Sequence, residues 1–247
     1  MICKEICALS ILSRSQISDY TVNPYVGCQH ACTYCYARFM KRFTGHKEPW
    51  GEFVDVKINA ADLLKHEIVR TPPHRVWVSG VCDPYQPFER EYELTKQCLK
   101  TLIQHDWSIT VQTKSPLVLR DIDLFRTSDK VEVGLSVTSA DDEIRKLFEP
   151  SAPSIGERLR ALERLHLAGI RTYAMIAPML PGVEGLASQL SGKVDYVLID
   201  RMNYHYSDWV YRKYHLEEAM SCDFFFSKRK DLVFAFGEQH IECRVLF

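Results

Sequence analysis

Residues 23–36 read Asn23-Pro24-Tyr25-Val26-Gly27-Cys28-Gln29-His30-Ala31-Cys32-Thr33-Tyr34-Cys35-Tyr36. Cys28, Cys32 and Cys35 follow a C-x3-C-x2-C spacing on what reads as one tight loop, and thiolates this close can converge on a soft metal or an iron–sulfur cluster. Gly27 allows a sharp backbone turn with no Cβ in the way, and the interleaved aromatics can shield sulfur from water. With nine cysteines in 247 positions, this spacing arises by chance on the order of 0.01 times, so coincidence is disfavoured. Three local thiolates leave one iron of a [4Fe–4S] cube, or one position of a tetrahedral zinc, without a nearby protein ligand. Spacing alone keeps a structural zinc open, with His30, His46 or a distant cysteine as its fourth ligand.

Around this loop, short β-branched or aromatic runs alternate with helical stretches, as the βα units of a parallel sheet do. Strands are expected at Thr21–Tyr25, Arg75–Ser79, Ser108–Thr113, Val131–Val137, Arg171–Ala177, Tyr196–Asp200 and Ile241–Leu246, with Glu52–Ile58 as a further one. Helices are expected at Ala60–Val69, Glu91–His105, Pro116–Phe125, Ser154–Ala168, Ser207–Met220 and Phe224–Phe236. The clearest is Ser154–Ala168. Ser154 and Glu157 match a capping box, Leu159, Leu162, Leu165 and Leu167 give an apolar face, and Gly169 stops it. No repeat, low-complexity tract or long linker interrupts the alternation. Residues 1–247 therefore read as a single domain, with a core at about 15–205 and C-terminal helices and a strand at about 206–247 packed on it. Six or seven βα units predict an α/β fold, a partial (β/α)6 TIM-like barrel, with the active site in the loops after the strands' C-terminal ends.

Composition agrees with a globular chain: 46% hydrophobic and 26% charged residues exclude collagen-like, low-complexity and strongly acidic classes. A formal net charge of −1 supplies no global field for nucleic acid, so such a partner needs a local basic patch. Charges at Lys4 and Glu5 interrupt the N-terminus where a signal peptide needs an apolar run, and no stretch is long enough for a membrane span. A cytoplasmic protein without membrane contact is expected. An odd cysteine count argues against a closed disulfide framework and for metal or redox chemistry.

The loop resembles the cluster motif of the radical S-adenosylmethionine (radical SAM) superfamily, C-x3-C-x-aromatic-C, with Tyr34 in the aromatic place. Asn23-Pro24-Tyr25, Cys35-Tyr36-Ala37-Arg38, Asp83-Pro84-Tyr85-Gln86-Pro87 and Glu149-Pro150 are similar to the branch containing spore photoproduct lyase, over most of residues 15–200. The resemblance implies a barrel of the radical SAM type and a [4Fe–4S] cluster on Cys28, Cys32 and Cys35. It also implies S-adenosylmethionine on the open iron, cleaved by one electron to methionine and a 5′-deoxyadenosyl radical that abstracts hydrogen. An electron donor such as ferredoxin or flavodoxin follows as a partner. By similarity to the lyase, Tyr34, Lys114, Ser136 and Ala177 lie on the S-adenosylmethionine side, with Arg158 as a further candidate for its carboxylate. Tyr36 matches the tyrosine that helps return hydrogen to product. Aligning on Asp83 puts Gly80 at the donor cysteine, but positions 80 and 82 of an extended segment face the same side, so Cys82 is the candidate thiol. A nucleic-acid base is the substrate the resemblance implies. A peptide, RNA or small molecule stays open, as does a non-catalytic zinc or iron–sulfur module that binds nucleic acid.

Other groups qualify on residue type alone. Asp83 and Glu89 could pair as substrate-binding carboxylates, and Asp200, Arg201, Asn203 and His205 follow the sixth strand. Arg38, Lys41, Arg42, His46 and Lys47, and Lys228, Arg229 and Lys230, with Phe39, Phe43 and Trp50, have the make-up of a single-stranded nucleic-acid groove. Cys3 and Cys7, with Cys222 or Cys243, could form a second metal site, whereas Cys98 reads as core.

Overall fold

Period-2 alternation decides which side of each strand meets the helices. The computed structural model describes residues 1–247. The chain begins with β1 (Ile2–Ile6), β2 (Leu12–Arg14), β3 (Tyr20–Val22), β4 (Tyr25–Val26), β5 (Phe53–Lys57) and α1 (Ala60–Ile68). It continues with β6 (Arg75–Val78), α2 (Glu89–Tyr92), α3 (Leu94–Gln104), β7 (Ser108–Thr113), α4 (Ile122–Phe125) and β8 (Val131–Ser136). Then come α5 (Asp142–Phe148), α6 (Ile155–Leu167), β9 (Arg171–Ile176), α7 (Leu186–Leu190), β10 (Tyr196–Ile199), α8 (Asp208–Lys213), α9 (Cys222–Glu238) and β11 (Glu242–Val245). No helix is long and apolar enough to cross a membrane.

Two sheets result. The larger runs β11-β10-β9-β8-β7-β6-β3-β2 and is parallel except for the β2–β3 pair. Its edges β2 and β11 do not pair with each other, so the α/β barrel is partial, as the alternation predicts. The smaller sheet, β1-β5-β4, flanks the cysteine loop: β4 leads into it, and β5 follows, antiparallel to β4 and parallel to β1.

On β7, Ile109 and Val111 face the helices and join the main core, leaving Thr110 and Gln112 to the lumen. On β8, Val133 and Leu135 face out, and Glu132, Gly134 and Ser136 face in. The lumen is accordingly polar and internally paired. Thr110 Oγ1 and Tyr196 OH donate to Glu132 at 2.8 and 3.0 Å, and Gln112 Nε2 donates to Ser136 Oγ at 3.0 Å. At Gly134 a Cβ would lie 2.2 Å from Tyr173 Cζ. Glycine there lets the Tyr173 ring cross the lumen and stack on Tyr196, with centroids 5.1 Å apart and planes 13° apart. This aromatic floor confines open space to the other end, where the strands' C-termini lie.

The α6 capping box forms as expected, Ser154 Oγ accepting from Glu157 N and Glu157 accepting from Ser154 N, a device worth about 1 kcal/mol. Four expectations change; the helix expected at Pro116–Phe125 is a 3-10 helix over Pro116–Asp121 and α-helical only as α4. The run Thr21–Tyr25 divides between the two sheets, because Pro24 has no N–H for a ladder and Asn23 Oδ1 instead accepts from Ser79 Oγ, Gly80 N and Val81 N. The helix expected at Glu91–His105 breaks at Glu93, in left-handed backbone with φ 49°, into α2 and α3. The one expected at Ser207–Met220 ends with α8, and His215 (φ 55°) redirects the chain into a short 3-10 turn at Glu217–Met220. β1, β2, α5 and α7 were not foreseen.

Candidate metal centre and cofactor cavity

The cysteine loop is held from several sides. Gly27 (φ +92°) leaves β4 so close to β5 that a Cβ would sit 2.3 Å from Phe53 O. Within the loop, Ala31 N donates to Cys28 O and Cys35 N to Cys32 O. Outside it, Gln29 N donates to Gln86 Oε1 at 3.0 Å, Phe88 N to Gln29 Oε1 at 2.7 Å, and Thr33 N to Phe148 O at 2.8 Å. The loop is thereby tied to the turn after β6 and to the end of α5.

Cys28, Cys32 and Cys35 are unbridged and open on one cavity of about 430 Å³. Tyr34, Tyr36, Cys82, Asp83, Lys114, Ser136 and Ala177 also line it, as do Asp200, Arg201, Asn203 and Tyr204. The barrel fold thus gathers nine of the ten residues expected for cluster, cofactor and hydrogen return. Burial pushes the Cys28 thiol well above its usual range, Cys32 up to about 12, and Cys35 upward. A bound soft cation reverses that cost, since thiolate is the ligating form. The indole N–H of Trp50 has no oxygen acceptor and lies beside the Cys35 sulfur. Both observations fit a sulfur-ligated group.

Two buried carboxylates lock the surroundings. Asp83 Oδ1 accepts from Thr113 Oγ1 (2.6 Å) and Tyr85 N (2.9 Å), and Oδ2 accepts from Lys114 N (2.7 Å) and lies 3.1 Å from His30 Nε2. Burial would raise its pKa, but His30, Thr113 and the Lys114 N–H outweigh that and hold it at about 2. Glu149 accepts from Tyr34 OH, Arg158 Nη2 and Thr138 Oγ1, the last at 3.0 Å. Burial is again outweighed, here by Arg158, Lys114 and Tyr34, and its pKa is also about 2.

Arg158 corrects an expectation. Its guanidinium is fully buried, donating to Glu149, Ser136 O (3.0 Å) and Pro153 O (3.0 Å), and is not on the cavity wall. It positions Glu149 and the end of β8, using one N–H from each of its three nitrogens on the protein itself. Lys114 has the opposite character. Its ammonium has no carboxylate within 4 Å and rests 5.7 Å above the Tyr34 ring. Burial opposes its charge, but Cys32 and Glu149 raise its pKa, so the cation persists. Ser136 Oγ accepts from Gln112, whose own Oε1 is buried without a partner. Sequence reasoning missed Gln112, although strand alternation puts it on the same side as Lys114.

Tyr36 OH donates to Gly80 O, bridging the cluster loop to the turn after β6. Cys82 Sγ lies 3.0 Å from Ser79 Oγ, and Ser79 donates to Asn23 Oδ1 at 2.6 Å, which leaves the thiol as donor. Burial pushes this thiol up to about 12. On the opposite wall, Asp200 accepts from Arg201 N and Asn203 Nδ2, both at 2.8 Å. His205 is not with them: it is exposed and lies 3.2 Å from Asp208. Nor does Glu89 join Asp83 as a substrate pair. It is buried behind the loop with Tyr25 OH (2.5 Å) and Arg120 (2.8 Å). His46 is held by Asp55 (2.8 Å) and Glu48 (3.0 Å), away from the thiols' cavity. Cys3 on β1 and Cys243 on β11 belong to different sheets.

An uncharacterised protein of Methanocaldococcus jannaschii is 40% identical over 164 residues, 66% of this chain and 61% of its own. The chain thus spans about six-tenths of that relative's length. A radical SAM Nα-GlyT isomerase of Pseudomonas phage M6 is 22% identical over 162 residues, 65% of this chain and 33% of the phage protein. Among solved structures, a mutant of spore photoproduct lyase superposes with a TM-score of 0.73 at 17% identity, and the lyase complexed with dinucleoside spore photoproduct with 0.70 at 15%. In both, the match covers 99% of this chain and 82% of the other, and it shows a shared fold. The Radical SAM superfamily profile matches residues 22–184, from the end of β3 through all three cysteines to the loop after β9, and the chain belongs to that superfamily.

Proposed function

We propose that this protein is a radical SAM enzyme that removes a hydrogen atom from a nucleobase. The observation that carries the reading is the single cavity that three thiols, a free ammonium and a hydrogen-bonding far wall share. Cys28, Cys32 and Cys35 would hold a [4Fe–4S] cluster. Lys114 would pair with the carboxylate of S-adenosylmethionine, the Ser136 hydroxyl would hydrogen-bond it, and the backbone at Ala177 would meet adenine. When bound, cluster and cofactor supply the oxidising power to take hydrogen from an unactivated C–H bond. The surrounding side chains exclude water and fix the substrate.

The far wall suits a planar heterocycle. Tyr36 and Tyr204 offer ring faces, and Asp200, Arg201 and Asn203 offer donors and acceptors for a ring edge. The lyase complex, with a dinucleoside spore photoproduct bound, supports a nucleobase in the same role. Cys82 and Tyr36 carry the S–H and O–H bonds that can return hydrogen to product. A ferredoxin or flavodoxin would supply the electron.

Anaerobic reconstitution with iron and sulfide tests the reading. About four irons per chain, absorption near 400 nm that bleaches with dithionite, and 5′-deoxyadenosine release are expected. A colourless zinc site that leaves S-adenosylmethionine intact would replace this reading with a non-catalytic module. Lys114→Met is expected to raise the Kd for S-adenosylmethionine by about tenfold or more, the loss of one charge-assisted hydrogen bond, as measured by anaerobic equilibrium dialysis. Cys82→Ala is expected to keep cofactor cleavage while shifting the product distribution, read by mass spectrometry. Unchanged products would remove the thiol from hydrogen return.

A further inference from the structure

Two segments far apart in sequence meet at the mouth of the cavity. Tyr36 stacks on Tyr204 with centroids 6.3 Å apart and planes at 20°, and Tyr204 stacks on Tyr206 at 5.6 Å and 5°. Arg38 lies 4.5 Å above Tyr206. The three tyrosines are 40, 47 and 38% exposed, so the stack remains open to solvent at the cavity mouth. The inner two line the cavity, and the third stands outside it.

The same two segments are basic in a chain whose formal net charge is −1. Residues 36–47 contain Arg38, Lys41, Arg42 and Lys47 and no acid, and residues 201–215 contain Arg201, Arg212 and Lys213 against Asp208 alone. Of these seven cations only Arg212 comes within 4 Å of a carboxylate. Five of the others rest on rings or carbonyls: Arg38 on Thr33 O and Cys35 O, Lys41 on Lys47 O, Arg42 over Phe39 and Phe43, Arg201 over Phe247 and Lys213 over Tyr214. Cations without acidic partners, interleaved with open rings, match the needs of a chain of phosphates and unpaired bases.

We infer that the Tyr36–Tyr204–Tyr206 ladder and the basic segments around it are a binding platform for a single-stranded polynucleotide, which leads one nucleotide into the cavity. The inference rests on the nucleobase reading above and adds what that reading lacks, a surface for the strand on either side of the target. An acidic protein would be attracted by the same charge, but it has no use for a graded row of ring faces. A duplex keeps its base faces stacked internally and cannot engage them.

The test is fluorescence anisotropy of a labelled, mixed-sequence 12-nucleotide DNA with the reconstituted protein under anaerobic conditions. Tyr206→Ala is expected to weaken binding about fivefold or more, as loss of one stacked base does. Tyr206→Phe keeps the ring and is expected to bind like wild type, which separates stacking from a folding defect. The double variant Arg42→Ala, Lys213→Ala is expected to flatten the plot of log affinity against log salt by roughly 0.7 per phosphate contact removed. Equal binding by Tyr206→Ala and wild type would overturn the platform. So would equal affinity for the matching duplex, or displacement of the DNA by polyglutamate of equal charge at equal concentration, which would make the surface a dock for an acidic protein. A protein that cleaves S-adenosylmethionine but leaves the oligonucleotide free overturns this inference alone. One that binds the oligonucleotide but takes up no iron overturns the parent reading alone.

Discussion

Cys28→Ala, Cys32→Ala and Cys35→Ala are each expected to reduce 5′-deoxyadenosine release to the level of a no-enzyme control. Each would remove one of the three ligands proposed for the cluster, with no reserve sulfur beside them. Cys82, the other thiol on the cavity wall, is engaged with Ser79. Iron content and the absorption near 400 nm should fall together, checked by iron assay and spectroscopy after anaerobic reconstitution. The fold should persist, because the loop is held by Gln86, which accepts from Gln29 N and donates to Gly27 O, and by Thr33, none of which uses a thiol. Cys98→Ala is the control. Cys98 is fully buried on α3 in the main core, away from the cavity, so this variant should lose some stability and keep cofactor cleavage. Retained turnover in any of the three loop variants would remove the cluster assignment.

The second large effect is on stability. Arg158→Met leaves the Glu149 carboxylate buried with only Tyr34 and Thr138 as donors. Removing one partner of a buried ion pair costs about 3–5 kcal/mol, so the urea midpoint should fall sharply. Because the uncompensated charge causes most of that loss, adding Glu149→Gln to Arg158→Met should recover part of it. The pair also sets the response to acid. Glu149 and Asp83 have folded pKa values of about 2, below their ordinary values of 4.5 and 3.8. A depressed carboxylate stabilises the fold fully above its unfolded pKa, and that contribution disappears as pH falls towards the folded one. Wild-type stability should therefore drop between about pH 4.5 and 2. In Arg158→Met the Glu149 share of that slope should shrink. An unchanged acid profile would show that the guanidinium does not hold the carboxylate ionised.

Much of this was legible in the residues. Strand positions β6 to β11 followed from apolar runs of the right length, since an outward row of Val, Ile and Leu has to be buried whatever the lumen contains. The cysteine spacing pointed to the proposed metal centre because its candidate ligands are local in sequence. Residues acting across the chain were harder to read. Arg158 looked like a ligand for a carboxylate, and it is one, but the carboxylate is Glu149 of the same protein. His205, from composition a natural companion of Asp200, turns outward on a short 3-10 turn after Tyr204. The tyrosine ladder could not be foreseen, because it depends on bringing residue 36 against residue 204. Glu93 and His215 broke expected helices through left-handed backbone, which residue preference alone does not announce. β1 escaped notice because Ile-Cys-Lys-Glu-Ile carries no strong pattern and stays mostly exposed.

That exposure says what β1 is for. A strand that contributes so little to the interior is useful chiefly for what it covers. Its backbone occupies the outer hydrogen-bonding row of β5, over Phe53–Lys57, a run in which Phe53, Val54 and Val56 are fully buried. Shortened from the front, the molecule would present that row bare, and a bare row next to apolar side chains recruits another copy of itself. β1 therefore shields the hydrogen-bonding edge of β5 from strand pairing with another copy.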